Sequence, residues 1–359
     1  LVNGKTYQAN VTNGIASITI PSGALKVGNN ILSINYNNNT FGYEPASTTY
    51  YTNGTKYGPV YYVAVNGSSS NNGRTPETPW NYTYAFNTIR NSTYNNSLIY
   101  ILDGVYSVNS TVLFNNGLTL KVIGYNNTVL NGNNKKINAF NIQNGVLSIE
   151  KLTFKNFANT PILNRANNTT IIGNKFMNNK GINGGAISNW NANNALITGN
   201  IFQNNTGMYG GAVYNRANNT IITNNTFTKN NASISSGAIY NIGRNTKITN
   251  NIFTNNHANT LGGAINNWET TKTTITGNKF TGNQANYGGA IYYRGTGLKL
   301  NNNNMTSNTA LVSGGAVFVI GTSNNITNNN FTANKARSGA AINNLGTNTY
   351  IRGNTIKYN

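Results

Sequence analysis

The chain has 359 residues, a formal net charge of +20 and 11 % aromatic residues, with 25 Lys and Arg against five Asp and Glu. The absence of Cys excludes a disulfide-stapled domain. No apolar run is long enough to cross a bilayer, so the sequence predicts no membrane span.

The chain opens with short alternating segments. KTYQAN from Lys5, IASITIP from Ile15 and NILSINY from Asn30 are separated by Asn-Gly or Gly-Asn turns, which is typical of an antiparallel meander. An immunoglobulin-like sandwich needs about seven strands. We therefore expect only part of such a module over residues 1–45, followed by a linker over residues 46–59.

Residues 60–359 are predicted to form a solenoid with three zones. Residues 60–95 contain a strand, a polar loop and a short helix from about Tyr82 to Arg90, which suit an N-terminal cap. Irregular coils occupy residues 96–165, and regular repeats occupy residues 166–359.

One phrase returns every 26 residues in the regular zone. GGAISNW begins at Gly184, and related phrases begin at Gly210, Ser236, Gly262, Gly288 and Gly314. A fixed period of this size indicates a solenoid whose repeats bury their apolar faces by stacking. The column Ile187, Val213, Ile239, Ile265, Ile291 and Val317 is expected to point inward.

A second phrase runs in step with the first, as in ITGNIFQNN from Ile197. Its Ile and Phe columns predict two more short strands per coil. Between them stands a Gly or Asn column expected to have positive φ: Gly173, Gly199, Asn224, Asn250, Gly277, Asn302, Asn328 and Gly353. Three strands and three turns in about 26 residues predict an all-β fold, a right-handed parallel β-helix.

Two columns consist of Asn alone, and stacked amides can hydrogen-bond along the axis as ladders. The first ladder is predicted at Asn174, Asn200, Asn225, Asn251, Asn278, Asn303, Asn329 and Asn354. The second is predicted at Asn179, Asn205, Asn230, Asn256, Asn283, Asn308, Asn334 and Asn359.

The strand that follows each GG pair supplies the candidate binding residues. Alternation turns the residue after each inward Ile or Val outward, together with the residue two positions further. Aromatic and Arg side chains adjoin here and suit sugar rings, which stack on flat faces and accept hydrogen bonds. The candidate face comprises Trp190, Tyr214, Arg216, Tyr240, Trp268, Tyr292 and Arg294, and it is expected to be flanked by Tyr209 and Tyr287, which each stand just before a GG pair. Alternatively, these side chains simply cover the strand or pack under the preceding loops.

Catalytic chemistry has little support in the sequence. A glycosidase needs two carboxylates about 5 to 9.5 Å apart, and no convincing pair occurs among Glu44, Glu77, Asp103, Glu150 and Glu269. Asp103 is expected in a turn and Glu269 in a solvated loop. His257 is the only histidine and has no acid nearby. The sequence therefore predicts no catalytic residues, metal site or cofactor.

The charge favours polyanionic partners such as acidic polysaccharides. The cations are spread along the chain, however, and no nucleic-acid motif is present, so a nucleic-acid partner is not expected.

The paired GGAI and Phe-x-x-Asn phrases, seen at Gly184 to Ile187 with Phe202 to Asn205, resemble the repeats of polymorphic outer-membrane proteins. With the opening YYVAVNGSSSNNGRTPETPW and the segment ILDGVY, residues 60–359 resemble adhesin-like surface proteins of methanogenic archaea and the wider pectin-lyase-like superfamily. The resemblance implies a secreted, wall-attached protein that contacts partner cells or their polysaccharides. Because the chain stops at a ladder position, we expect it to be part of a longer protein.

Three functions remain open. The first is a non-catalytic adhesin that binds glycans, and the second is a polysaccharide lyase or glycoside hydrolase of the superfamily. The third is a structural spacer or an ice-binding surface built on outward Thr columns.

Overall fold

The computed structural model describes residues 6–7, 28–36, 46–54 and 59–359. An antiparallel hairpin precedes the solenoid, with strands Gly28–Tyr36 and Ala46–Gly54 paired so that Gly28 lies opposite Gly54. The segment predicted as a linker therefore contains a strand, which agrees with its β-branched and aromatic residues. The strands predicted from Lys5 and Ile15 lie outside the described residues, apart from residues 6 and 7.

Residues 59–359 form a parallel β-helix in which each coil adds one strand to each of three sheets. The Ile sheet has twelve strands: Val60–Val63, Ser97–Ile101, Thr119–Gly124, Val146–Glu150, Thr170–Ile172, Leu196–Thr198, Ile221–Thr223, Lys247–Thr249, Thr274–Thr276, Lys299–Asn301, Asn325–Thr327 and Tyr350–Arg352. The Phe sheet has eleven: Gly104–Ser107, Thr128–Asn131, Thr153–Lys155, Lys175–Met177, Ile201–Gln203, Thr226–Thr228, Ile252–Thr254, Lys279–Thr281, Asn304–Thr306, Asn330–Thr332 and Thr355–Lys357.

The third sheet, here called the GGAI sheet, carries the candidate face. Its ten strands are Val112–Phe114, Phe140–Ile142, Ile162–Asn164, Ile187–Asn189, Val213–Asn215, Ile239–Asn241, Ile265–Thr271, Ile291–Thr296, Val317–Thr322 and Ile342–Asn344. The predicted inward column from Ile187 to Val317 is fully buried. The GG pair precedes this strand because a Cβ on Gly211 would collide with the carbonyl oxygen of Gly237 in the next coil.

A fourth, short sheet was not expected. Its five strands are Thr206–Tyr209, Asn231–Ser235, His257–Ala258, Gln284–Tyr287 and Thr309–Ser313. They lie between the second Asn ladder and the GG pair, where small inward residues such as Ala232, Ala258 and Ala285 pack in a separate buried cluster. Coils in this part of the chain therefore contain four strands, not the three that were predicted.

The N-terminal end is closed by aromatic side chains. An α-helix spans Tyr82–Thr88, close to the predicted helix, and the side chain of Asn81 accepts a hydrogen bond from the backbone N–H of Tyr84. A 3₁₀ turn, Ser92–Tyr94, follows. The helix buries Phe86 against the first coils. Within the described ranges, neither helix has the length and apolar character needed to cross a membrane.

The interior is held by repeated contacts between coils. Phe154, Phe176, Phe202, Phe227, Phe253 and Phe280 form a continuous stack with ring centroids 4.6 to 5.0 Å apart. The predicted turn column has positive φ at all eight positions. These values confirm that the chain turns a corner at the Gly or Asn of each regular coil.

Both predicted Asn ladders are confirmed. The Oδ1 atom of Asn225, for example, accepts hydrogen bonds from the backbone N–H and the Nδ2 group of Asn200 at 2.9 and 3.0 Å. Its own Nδ2 group donates to the carbonyl oxygen of Ile197 in the preceding coil and to Oδ1 of Asn251 in the next coil. Each amide thus bonds to the coils on both sides.

A third ladder was missed by the sequence analysis. Asn164, Asn189, Asn215, Asn241 and Asn267 point inward from the GGAI sheet and are linked by amide hydrogen bonds of 2.7 to 2.8 Å. The recurring Asn two residues after the inward Ile or Val was the available signal. The ladder ends at Asn267, whose Nδ2 group has no partner, because the next coil carries the fully buried Tyr293.

Candidate functional site

The outward column of the GGAI sheet forms the centre of the candidate site. In register it runs Ser188, Tyr214, Tyr240, Asn266, Tyr292, Phe318 and Asn343. The rings lie face to face, with centroids 5.5 Å apart for Tyr214 and Tyr240 and 5.4 Å apart for Tyr292 and Phe318.

These rings are more buried than the alternation predicted. Tyr214 is 7 % exposed, and Tyr292 and Phe318 are each 6 % exposed. Parallel strands hold the rings of consecutive coils close together, so each ring covers the flat face of the next. In addition, Tyr209 and Tyr287 of the fourth sheet contact Tyr240 and Phe318 at 5.3 and 5.5 Å. The rings of Tyr214, Tyr292 and Phe318 therefore present little open surface, as in the alternative in which these side chains pack under the preceding segment of the coil.

The two tryptophans further along the strands, Trp190 and Trp268, are half-buried. Trp190 contacts Tyr214 at 5.4 Å, has Arg216 5.1 Å from its ring centroid, and donates from Nε1 to Ser188 Oγ at 2.8 Å. Trp268 stacks on Tyr292 at 6.2 Å, with Arg294 4.7 Å from its ring centroid. The predicted residues thus form two clusters on neighbouring coils, and Asn266, which shares its strand with Trp268, interrupts the ring column between them.

A pocket of about 250 Å³ lies between the two clusters. Its lining consists of Tyr209, Ile234, Ser235, Tyr240, Thr260, Leu261, Asn266 and Trp268. Five of these residues, Tyr209, Ile234, Ser235, Thr260 and Leu261, belong to the fourth sheet or its connections, and the sequence analysis did not foresee that sheet. None of the lining residues is charged.

Glu269 lies beside this pocket in an unexpected conformation. It was predicted in a loop, but it is the extra residue of a β-bulge within strand Ile265–Thr271, with φ of 54°. Its Oε1 atom lies 3.5 Å from Arg294 Nη2. The sequence held a signal for the bulge, since Ile275 follows Ile265 by ten positions, whereas Ile248 follows Ile239 by nine.

Three tyrosines of the site, Tyr214, Tyr240 and Tyr292, keep their protons at neutral pH. Burial, with smaller contributions from the neighbouring Tyr214, Tyr209 and Glu269, raises the pKa of Tyr240 to about 12. Burial also raises the pKa of Tyr214 and of Tyr292, although Arg216 and Arg294, respectively, oppose the shift. The phenol groups are therefore neutral and can donate hydrogen bonds to a ligand.

The remaining carboxylates among the described residues lie elsewhere. Glu150 forms an ion pair of 3.0 Å with Lys121 and accepts from Ser148 Oγ. Asp103 accepts from the backbone N–H of Asn127, as expected of a turn residue. His257 Nδ1 is 2.8 Å from Asn231 Oδ1. In the described part of the chain, no group of three His, Cys, Asp or Glu side chains is placed to hold a metal ion.

Comparison with known proteins supports the fold. The family model described as "Right handed beta helix region" matches residues 185–356, slightly less than half of the chain. Comparison of the sequence with curated proteins gives no match.

Several solved structures share the architecture. GH136 lacto-N-biosidase from Eubacterium ramulus has a TM-score of 0.54 and 12 % identity, over 83 % of this chain and 67 % of that chain. Pectate lyase Pel9A has a TM-score of 0.44 and 16 % identity, over 84 % and 80 %. A rhamnogalacturonan lyase has a TM-score of 0.43 and 11 % identity, over 83 % and 87 %. At these identities the likeness concerns the fold and not the reaction. The chain thus folds as a right-handed parallel β-helix.

Proposed function

We propose that this protein is a non-catalytic adhesin of the cell surface that binds glycans or the surface polymers of partner cells. The observation that carries the proposal is the pocket between Tyr240 and Trp268, which has aromatic walls, an amide and a hydroxyl group at its base, and no charged residue in its lining. Sugar-binding sites need this combination, because sugars present apolar ring faces as well as hydroxyl groups.

The two Trp–Arg pairs support the same function. Arg216 and Arg294 lie over the rings of Trp190 and Trp268, and both guanidinium groups are exposed. They hold the indoles in place by cation–π attraction and present N–H donors beside them. The net charge of +20 adds a general attraction for anionic polymers, which makes acidic polysaccharides a second class of partner.

A polysaccharide lyase or glycoside hydrolase is the alternative function. It is suggested by the lacto-N-biosidase of similar fold, but the site offers one carboxylate, Glu269, which is already paired with Arg294. A hydrolase that works with two carboxylates needs a second one within about 9.5 Å. The other described carboxylates are engaged on distant coils or lie in the cap.

The test is binding of the purified protein to a panel of neutral and acidic polysaccharides, with released chain ends assayed in the same samples. We expect saturable binding without product. Trp268→Ala should weaken binding about tenfold or more, because a large stacking surface is lost, and Trp190→Ala should weaken it for ligands that span both clusters. Tyr125→Ala, which removes an exposed ring far from the face, is the matched control.

Two outcomes contradict the proposal. Release of new chain ends by the wild-type protein, abolished by Glu269→Gln, establishes an enzyme instead of an adhesin. Absence of both binding and product leaves a structural spacer as the function.

A further inference from the structure

We propose that the pocket at Asn266 accepts one neutral sugar ring, at a chain end or branch, in the position of the aromatic ring that this coil lacks. The inference rests on the proposed glycan-binding function and specifies its ligand. It makes Asn266 the residue that determines specificity.

The argument begins with the interruption of the ring stack. Tyr214 and Tyr240 stack in successive coils, as do Tyr292 and Phe318, and Asn266 occupies the register position between the two pairs. An amide is shorter and narrower than a phenol ring, so the coil of Asn266 leaves space beneath the neighbouring fourth sheet. The pocket of about 250 Å³ includes both Tyr240 and Asn266 in its lining, as expected for the space of a missing ring.

The base of the pocket has an unused hydrogen-bond acceptor. Asn266 is fully buried, its Nδ2 group donates to Ser235 Oγ at 2.6 Å, and its Oδ1 atom has no hydrogen-bond partner. A buried acceptor without a donor is costly and rare in folded proteins. A sugar hydroxyl group placed at the base of the pocket supplies the missing donor.

The size and charge of the pocket limit the ligand further. Pockets for drug-sized molecules are about 300 to 1,000 Å³, so a volume of about 250 Å³ suits a single sugar unit and not a longer segment of polymer. The lining contains neither Lys nor Arg, and the nearby Arg294 is paired with Glu269. A uronic acid or sulfated sugar therefore finds no cation in the pocket to compensate its charge, and a neutral sugar is favoured.

The experiment fills the space with the ring that the neighbouring coils already carry. Asn266→Tyr continues the stack and occupies the pocket, whereas Asn266→Ala keeps the space and removes the acceptor. Asn343→Tyr is the matched control, because Asn343 occupies the same column beyond Phe318 and its Nδ2 group donates to Ser313 Oγ at 2.5 Å, yet it is not part of this pocket.

Binding is measured by calorimetry and by quenching of indole fluorescence. The probes are glucose, galactose, mannose and N-acetylglucosamine, the uronic acids of glucose and galactose, and oligosaccharides ending in the four neutral sugars. We expect a neutral sugar to bind the wild-type protein most tightly. Asn266→Tyr should weaken its binding by about fiftyfold or more at an unchanged or higher melting temperature, and Asn266→Ala should weaken it about five- to tenfold through loss of one hydrogen bond. Asn343→Tyr should bind as the wild type does.

Binding that survives Asn266→Tyr, or a uronic acid that binds more tightly than every neutral sugar, overturns the inference. If such binding is still lost in Trp268→Ala, the proposed function stands and only the pocket assignment fails. Failure of all probes to bind the wild-type protein overturns both. If Asn266→Tyr lowers the melting temperature, the test rests on the affinity of Asn266→Ala. An affinity equal to that of the wild-type protein then contradicts the role of the amide.

Discussion

At the scale of single residues, the same residue type can have different roles at adjacent positions of the coil. Asn224 is an exposed corner residue with φ of 55°, and four Gly residues take its place in other coils. Asn225 beside it is 1 % exposed and bonds to Asn200, Ile197 and Asn251. The first Asn is selected for its backbone conformation and the second for its amide group.

These roles predict different responses to substitution. Asn225→Ala should destabilise the protein by about 3 kcal/mol, since it leaves the buried N–H groups of Asn200 short of an acceptor. Asn224→Gly should change stability by no more than about 0.5 kcal/mol, because Gly adopts the same backbone conformation without cost in the folded state. Urea unfolding followed by circular dichroism measures both, and equal effects of the two substitutions contradict the distinction.

At the scale of the strand, stability depends on matched side chains in consecutive coils. Phe253 is stacked between Phe227 and Phe280, with centroids 4.9 and 4.7 Å away. Met305 follows Phe280 in the same column and is also fully buried. The column thus requires an apolar side chain that fills the available volume more than it requires an aromatic ring.

Substitutions at Phe253 test this view. Phe253→Ala should cost about 3 to 5 kcal/mol, because a cavity opens in an interior that cannot collapse around it. Phe253→Met should cost less than about 2 kcal/mol, since Met fills most of the volume, as Met305 does. Denaturant unfolding of the two variants measures the difference, and a Met variant as unstable as the Ala variant shows that ring stacking itself is required.

At the scale of the whole molecule, many buried phenol groups make stability sensitive to alkaline pH. Burial raises the pKa of Tyr293 to about 12, as it does for Tyr240. In the unfolded chain these groups have a pKa of about 10. Their contribution to stability is therefore fully present below pH 10 and is lost as the pH rises towards 12, because only the unfolded chain releases the protons readily.

We predict that the melting temperature falls steeply between pH 10 and pH 12, and less steeply in Tyr293→Phe. Tyr293 is fully buried, and its hydroxyl group has one long hydrogen bond of 3.5 Å to the carbonyl oxygen of Thr270, so its removal changes little at neutral pH. Thermal melts at several pH values measure the effect. Tyr350→Phe, at an exposed ring, is the control and should follow the wild-type curve.

The β-helix, its period, the turn column, the Phe column and two Asn ladders could all be predicted from the sequence alone. This was possible because a coil of nearly constant length places equivalent residues directly above one another, so a column in the sequence becomes a column in space. The inward column from Ile187 to Val317 and the Asn225 ladder both follow from this regularity.

The arrangement of the site depends on the tertiary structure. The sequence identified its aromatic and Arg residues, but the fourth sheet, the burial of Tyr214 and Tyr292, and the pocket at Asn266 depend on contacts between side chains of different columns and coils. The bulge at Glu269 likewise depends on where one extra residue is accommodated within its coil. A repeated pattern specifies what all coils share, whereas a binding pocket arises where one coil differs from its neighbours.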